Sequence, residues 1–306
     1  VGNGGASGHA ANVGAIGRRQ KARLSRGSER SYRAVMRRFM SVVLFLTAAS
    51  AKAGVLDGRI YPAPRAPLSV AGLFPGATLE EIRTADGLAL KGITVAGRPG
   101  RPLLLLLHGN GSSAADMTRW FAPLVAEGYG LIAAEYRGYS GNPGRPSEEG
   151  LAADADAFLA LARTRAAGRP IWVVGHSLGG GVALGLAARA PLGAVVTIGT
   201  FTRLRDAAPA IARGLMPDAY RNLDAVARLD EPWYLIHGTA DDVISVTHGK
   251  ALFDAGARAR SRGMAYVIKG ADHAPDASLL LAILEHARRP EAATLPAAVQ
   301  TAPFKP

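Results

Sequence analysis

Ile171-Trp172-Val173-Val174-Gly175-His176-Ser177-Leu178-Gly179-Gly180-Gly181 runs an apolar, β-branched and aromatic stretch straight into a small hydroxyl residue fenced by glycines. The apolar part reads as a buried strand, and the Ala/Leu-rich residues 182–189 after it read as a helix. Gly175, Ser177 and Gly179 form a G-x-S-x-G pattern, the signature of a sharp strand-to-helix elbow. The central residue of such an elbow is held in a strained backbone conformation, so its neighbours two positions away must be small. The hydroxyl then stands at the carboxyl end of a sheet, beside a helix start whose free N–H groups favour negative charge. Ser177 is therefore a candidate nucleophile, and a base, an acid and an oxyanion hole are expected elsewhere in the chain.

Working outward, strands are expected at 78–83 and 88–95, joined by the hairpin signal Ala85-Asp86-Gly87 and suited to an antiparallel edge. The five leucines at 103–107 read as a strand buried on both faces. From there the pattern alternates: helix 115–127, strand 130–135, helix 147–165, the opening strand and its helix, and strands 193–199, 233–237 and 265–269. Helices at 246–257 and 276–288 separate and close the last of these, and residues 290–306 read as a loose tail. Such alternation predicts an α/β fold with a mostly parallel sheet, helices on both faces and right-handed crossovers. The rhythm lapses at 200–230, too long for a plain loop, where Leu204, Ile211, Leu215 and Val226 recur at helical spacing. A small helical cap and an ordinary packing helix both fit that spacing.

Of 306 residues, 48% are apolar and 20% charged, which suits a globular chain with a large core. The net charge is +12, but residues 1–53 carry +9 of it and the remaining 253 only +3. A body so near neutral gives no reason to expect a nucleic-acid partner. The absence of cysteine excludes disulfides, cysteine nucleophiles and thiolate metal sites. Residues 1–35 read as a disordered basic extension or an over-called start, since the chain begins with Val and the first Met is Met36. Residues 36–53 combine a basic start, a short apolar centre and the Ala51-Lys52-Ala53 site, the three parts of a secretory signal. Export with cleavage near Ala53 is the expectation, and a transit peptide, an uncleaved anchor and a cytoplasmic chain are the alternatives; residues 54–306 form the expected domain.

Parallel strands place their polar ends on one edge, where ligands of open α/β sheets bind. The first such end is His108-Gly109-Asn110-Gly111, whose turn could aim the Asn110 N–H at a substrate oxyanion together with the Leu178 N–H. Taken alone, an ordinary Gly-rich turn explains it equally well. In Glu135-Tyr136-Arg137-Gly138-Tyr139, Arg137 reads as a structural tie for its loop. A serine nucleophile needs a base oriented by a third group, in the chain order nucleophile, acid, base. Asp241 is the expected acid, with the adjacent Asp242 as its alternative. Among the candidate bases His237, His248 and His273, the last sits in the loop after the final strand, where the base is needed.

Taken together, His108-Gly109-Asn110, Tyr136-Arg137-Gly138-Tyr139, Pro146-Ser147-Glu148-Glu149-Gly150, Gly175-His176-Ser177-Leu178-Gly179-Gly180, His237-Gly238-Thr239-Ala240-Asp241-Asp242 and His273 resemble the α/β-hydrolase superfamily, and closely its serine-aminopeptidase-like branch. The resemblance implies the α/β-hydrolase fold, Ser177 as nucleophile, Asp241 as acid, His273 as base, and Asn110 with Leu178 as oxyanion donors. Ser245 stands where relatives often carry proline. The expected activity is hydrolysis of a small ester or acyl substrate through an acyl-enzyme, without metal or organic cofactor. Carboxylesters are favoured because no acidic cluster marks a subsite for a peptide amine. Amidase, peptidase or thioesterase chemistry on the same residues, and a non-catalytic binding protein on a hydrolase fold, are the alternatives. The leader leaves a peripheral membrane contact open.

Overall fold

The computed structural model of the chain describes residues 60–208, 213, 216 and 219–304; the leader and basic extension expected at 1–53 lie outside the described residues. The elements run β1 (Thr78–Arg83), β2 (Ala89–Val95), β3 (Leu103–Leu107), α1 (Ala114–Trp120), α2 (Ala122–Ala126), β4 (Gly130–Ala134), α3 (Glu148–Arg165), β5 (Ile171–His176) and α4 (Leu178–Ala187). They continue through β6 (Ala194–Ile198), α5 (Leu204–Ala207), α6 (Asn222–Val226), β7 (Trp233–Gly238), α7 (Val246–Ala259), β8 (Gly263–Ile268), α8 (Ala277–Arg288) and β9 (Val299–Pro303).

The strands form one nine-stranded sheet in the order β1-β2-β4-β3-β5-β6-β7-β8-β9. β4, β3, β5, β6, β7 and β8 are parallel, while β1, β2 and β9 add antiparallel margins. The leucines of β3 divide the core by pleat alternation. Leu103, Leu105 and Leu107 join a cluster with Phe158 and Leu184, whereas Leu104 and Leu106 join Phe121 and Ile283 on the other face. None of the five is more than 2% exposed, and each contributes about 1.5–3 kcal/mol of burial. Helix α3 begins at Ser147, whose side chain accepts from the Gly150 N–H at 3.0 Å.

Two expectations are corrected. The helix expected at 115–127 is two short helices broken at Phe121, with Pro123 in the first turn of the second. Proline lacks the N–H that a continuous helix needs but is tolerated in a first turn. The tail expected to be loose ends in β9, which pairs with β8 along its length. It is anchored by Phe304, 2% exposed and stacked on Trp233 with ring centroids 4.7 Å apart.

In the irregular interval, α5 and α6 are short, and α6 packs against α4 and α7. Leu204 and Val226 are buried; Ile211 and Leu215 lie outside the described residues. The two described arms are laced together by the Leu204 N–H to the Ala219 carbonyl and by Asn222 Nδ2 to the Phe201 carbonyl.

Candidate active site

Registers across the parallel strands level their carboxyl ends: Leu107 pairs with Gly175, His176 with Ile198, Ile198 with Ile236, and Gly238 with Ile268. The loops after β3, β5, β7 and β8 therefore open on one edge. They carry Asn110, Ser177, Asp241 and His273.

Ser177 has φ 53° and ψ −114°, a conformation that non-glycine residues seldom adopt. Packing imposes it. A β-carbon on Gly175 would lie 2.1 Å from the Gly179 carbonyl oxygen, and one on Gly179 would lie 2.0 Å from the Leu107 carbonyl oxygen. The next two glycines of α4 are equally hemmed, Gly180 by Thr200 and Gly181 by Tyr220. Serine at a helix N-cap ordinarily spends its oxygen on its own helix, as Ser113 does on the Asp116 N–H at 3.2 Å. Ser177, in the same position on α4, makes no such bond. Its N–H instead donates to the Ile198 carbonyl at 2.8 Å.

The expected acid and base meet. His273 Nδ1 donates to Asp241 Oδ2 at 2.8 Å, with both side chains buried. In a neutral imidazole whose Nδ1 is the donor, Nε2 is the acceptor nitrogen. The other oxygen of Asp241 accepts the N–H groups of Val243 at 3.0 Å and Ile244 at 2.8 Å. Burial pushes the Asp241 carboxyl up, but the His273 contact and the Ile244 N–H outweigh it and hold the group below the ordinary aspartate range. Asp242 is exposed and lies outside this pairing.

The pair leans on the same strand end as Ser177. A β-carbon on Gly199, the residue after Ile198, would lie 2.9 Å from His273 Nδ1 and 3.2 Å from Asp241 Oδ2. His176, the residue before Ser177, contacts the His273 carbonyl from Nε2 at 2.8 Å. The post-β3 turn closes the other side, since a β-carbon on Gly109 would lie 3.2 Å from Ser177 Cβ. Among the described residues, neither the Asn110 nor the Leu178 N–H donates to another backbone group outside its own helix or strand.

The remaining histidines have other work. His237 Nε2 donates to the Ile244 carbonyl at 2.9 Å and stands 3.4 Å from Asp241 Oδ2. Its buried Nδ1 has no partner among the described residues, so the proton sits on Nε2, and burial pushes the ring's pKa down. His248 Nδ1 accepts from the Thr202 N–H at 3.2 Å. Arg137 is a tie, as expected: Nε donates to buried Asp154 at 2.8 Å and the fork spans Asp86 at 2.7 and 3.1 Å.

A family model described as serine aminopeptidase, S33 matches residues 98–223. Alpha/beta hydrolase domain-containing protein 17B of Homo sapiens is 32% identical over 177 residues, covering 56% of this chain and 62% of that protein. An uncharacterized Mycobacterium tuberculosis protein is 32% identical over 198 residues, covering 62% of this chain and 70% of that protein. The chain belongs to the α/β-hydrolase superfamily. Solved structures of similar fold include an esterase of Pyrococcus furiosus, 19% identical with a TM-score of 0.59 over 75% of this chain and 95% of that one. A puromycin-hydrolyzing peptidase of Mycobacterium tuberculosis is 17% identical with a TM-score of 0.59 over 73% of this chain and 41% of that one. At these identities the likeness concerns the fold. The α/β hydrolase is thus a hydrolase by family, with the mostly parallel sheet that was expected.

Sequence reasoning named Glu135, Tyr139 and His176 only as parts of motifs. In the α/β hydrolase, Glu135 Oε1 bonds His108 Nε2 at 2.8 Å and Glu135 Oε2 accepts the Ala114 N–H at 3.0 Å. A carboxylate ending a buried strand was the available signal, because a charge in that position needs partners.

Proposed function

We propose that this α/β hydrolase is a serine hydrolase that cleaves a carboxylester through an acyl-enzyme. In this reading Ser177 is the nucleophile, His273 the base, Asp241 the acid that orients it, and the N–H groups of Asn110 and Leu178 the oxyanion donors. The observation that carries it is the buried His273–Asp241 pair, 2.8 Å apart, set against the strand end that also holds the strained Ser177. His273 Nε2 takes the Ser177 proton as Oγ attacks the carbonyl carbon, and charge on the carbonyl oxygen falls to the two N–H groups. The proton then passes to the departing alkoxide. Water, deprotonated by the same nitrogen, attacks the acyl-serine, and the carboxylic acid leaves as Ser177 regains its proton. Each oxyanion donor is worth about 3 kcal/mol of transition-state stabilisation.

Amide or peptide cleavage on the same residues is the second reading, favoured by the serine aminopeptidase description of the matching family. Thioester cleavage uses the same steps. Fluorophosphonate labelling, with p-nitrophenyl esters of graded chain length and aminoacyl p-nitroanilides in parallel, separates these readings. Wild type should take the label and Ser177→Ala should not, with turnover falling at least about a thousandfold. Equal labelling of both removes Ser177 as nucleophile, and turnover of anilides alone removes the ester preference. Export through residues 36–53 belongs to the same proposal, and N-terminal sequencing of the mature protein tests it.

A further inference from the structure

Asn110 is gripped at both ends of its side chain. The Tyr139 hydroxyl donates to Oδ1 at 2.7 Å, and Nδ2 donates to the Ile60 carbonyl. Tyr139 is fully buried and Ile60 is 7% exposed. Oδ1 and one of the two Nδ2 hydrogens are thereby held by the protein's own groups, which fixes the carboxamide, and with it the residue's backbone N–H, relative to the turn.

The base of the same turn is fixed as firmly. His108 bonds Glu135 through Nε2 at 2.8 Å and the Gly109 carbonyl through Nδ1 at 2.9 Å. The Tyr136 hydroxyl donates to the His108 carbonyl at 3.1 Å, and the rings of Tyr136 and Tyr139 lie 4.2 and 5.2 Å from the His108 ring. Three stretches distant in sequence converge here: the strap at Ile60, the end of β3, and the loop after β4. An N–H serves an oxyanion well only when its direction is set before the reaction begins, and a turn rich in glycine does not set it alone.

We propose that Tyr139 is a positioning residue which, with the Ile60 carbonyl, locks the Asn110 backbone N–H into place as an oxyanion donor. The inference rests on the reading of Ser177 as nucleophile. Tyr139 acts through Asn110 and touches no reacting atom.

The test removes the hydroxyl alone. Tyr139→Phe should lower kcat about tenfold while KM stays within about twofold, because the interaction forms only with the transition state. Affinity for a boronic acid, which forms a tetrahedral adduct on the serine, should fall by the same factor. If Tyr139 acts through Asn110, the double variant Tyr139→Phe/Asn110→Ala is no slower than Asn110→Ala. Losses that multiply, or an unchanged kcat in Tyr139→Phe, overturn the proposal. A second readout is independent of turnover: hydrogen exchange of the Ser112 N–H, which donates to the Gly109 carbonyl at 3.3 Å across this turn, should speed up about tenfold in Tyr139→Phe while β5 is unchanged. Unaltered protection there also overturns it. A wild type inert to fluorophosphonate and to esters defeats the serine-hydrolase reading, and exchange still judges the clamp separately. If Tyr139→Phe does not fold, Asn110→Asp sets an oxygen against the Ile60 carbonyl, opens the clamp from its other end, and is read the same way.

Discussion

His176 Nε2 lies 2.8 Å from the backbone carbonyl of His273, so the residue before the proposed nucleophile grips the residue proposed as base. The bond crosses from the end of β5 to the loop after β8. It requires a proton on Nε2, and because the ring is buried its pKa is pushed down to about 3, with the nearby His273 ring adding to the effect.

This group makes stability depend on pH. An unfolded chain protonates His176 near 6.5 and the folded chain only near 3, so the contribution is complete above 6.5 and is lost as the pH falls. The slope is about 1.4 kcal/mol per pH unit between those limits. His237, also pushed down by burial, adds loss of the same sign. Urea midpoints of wild type and His176→Asn between pH 7.5 and pH 5 should show a shallower fall in the variant, and parallel curves would contradict the assignment.

Asp241→Asn removes the charge that faces His273 and should cut kcat about 10³- to 10⁴-fold. Asp242→Asn changes an exposed side chain and should stay within about twofold, as surface changes do. Steady-state kinetics on one chromogenic ester checks both, and a large loss in Asp242→Asn would reverse the choice of acid.

Gly199→Ala brings a methyl group within 2.9 Å of His273 Nδ1 at a backbone φ of 56°. The left-handed backbone alone costs about 1–2 kcal/mol, and displacing the ring should lower kcat more than tenfold, roughly a 1.4 kcal/mol rise in the barrier. Activity equal to wild type would mean that the His273–Asp241 pair has room that the geometry denies it.

Phe304→Ala deletes the ring stacked on Trp233 and should destabilise the chain by about 3–5 kcal/mol. Denaturant unfolding measures the loss, while fluorophosphonate labelling of the still-folded variant should match wild type. A loss under about 1 kcal/mol would show that β9 is only laid against the sheet.

Much of this was legible because period and spacing report backbone geometry. The uninterrupted leucines of β3, the glycines around Ser177 and the hairpin at Asp86-Gly87 each leave one comfortable conformation. The His273–Asp241 contact was anticipated by the order of strand ends, which register then levels. What the sequence hid were pairings between distant residues. The strand Val-Gln-Thr-Ala-Pro has little β pattern of its own and exists because β8 has a free margin and Trp233 offers a flat partner. Phe121 lies on an apolar helical face, so Pro123 was the only sign of the break after α1. The bond between Tyr139 and Asn110 joins residues 29 positions apart and leaves no periodic trace.

Helix α4 opens with glycine at 179, 180 and 181, each pressed against another part of the fold. Every glycine inside a helix forfeits about 1 kcal/mol relative to alanine, so this segment is a poor helix by itself. It gains its shape only once the ends of β3 and β6 and the Tyr220 region are assembled around it. The serine therefore takes its elbow conformation only with those parts in place, and a partly folded chain lacks the shaped corner in which the proposed nucleophile stands.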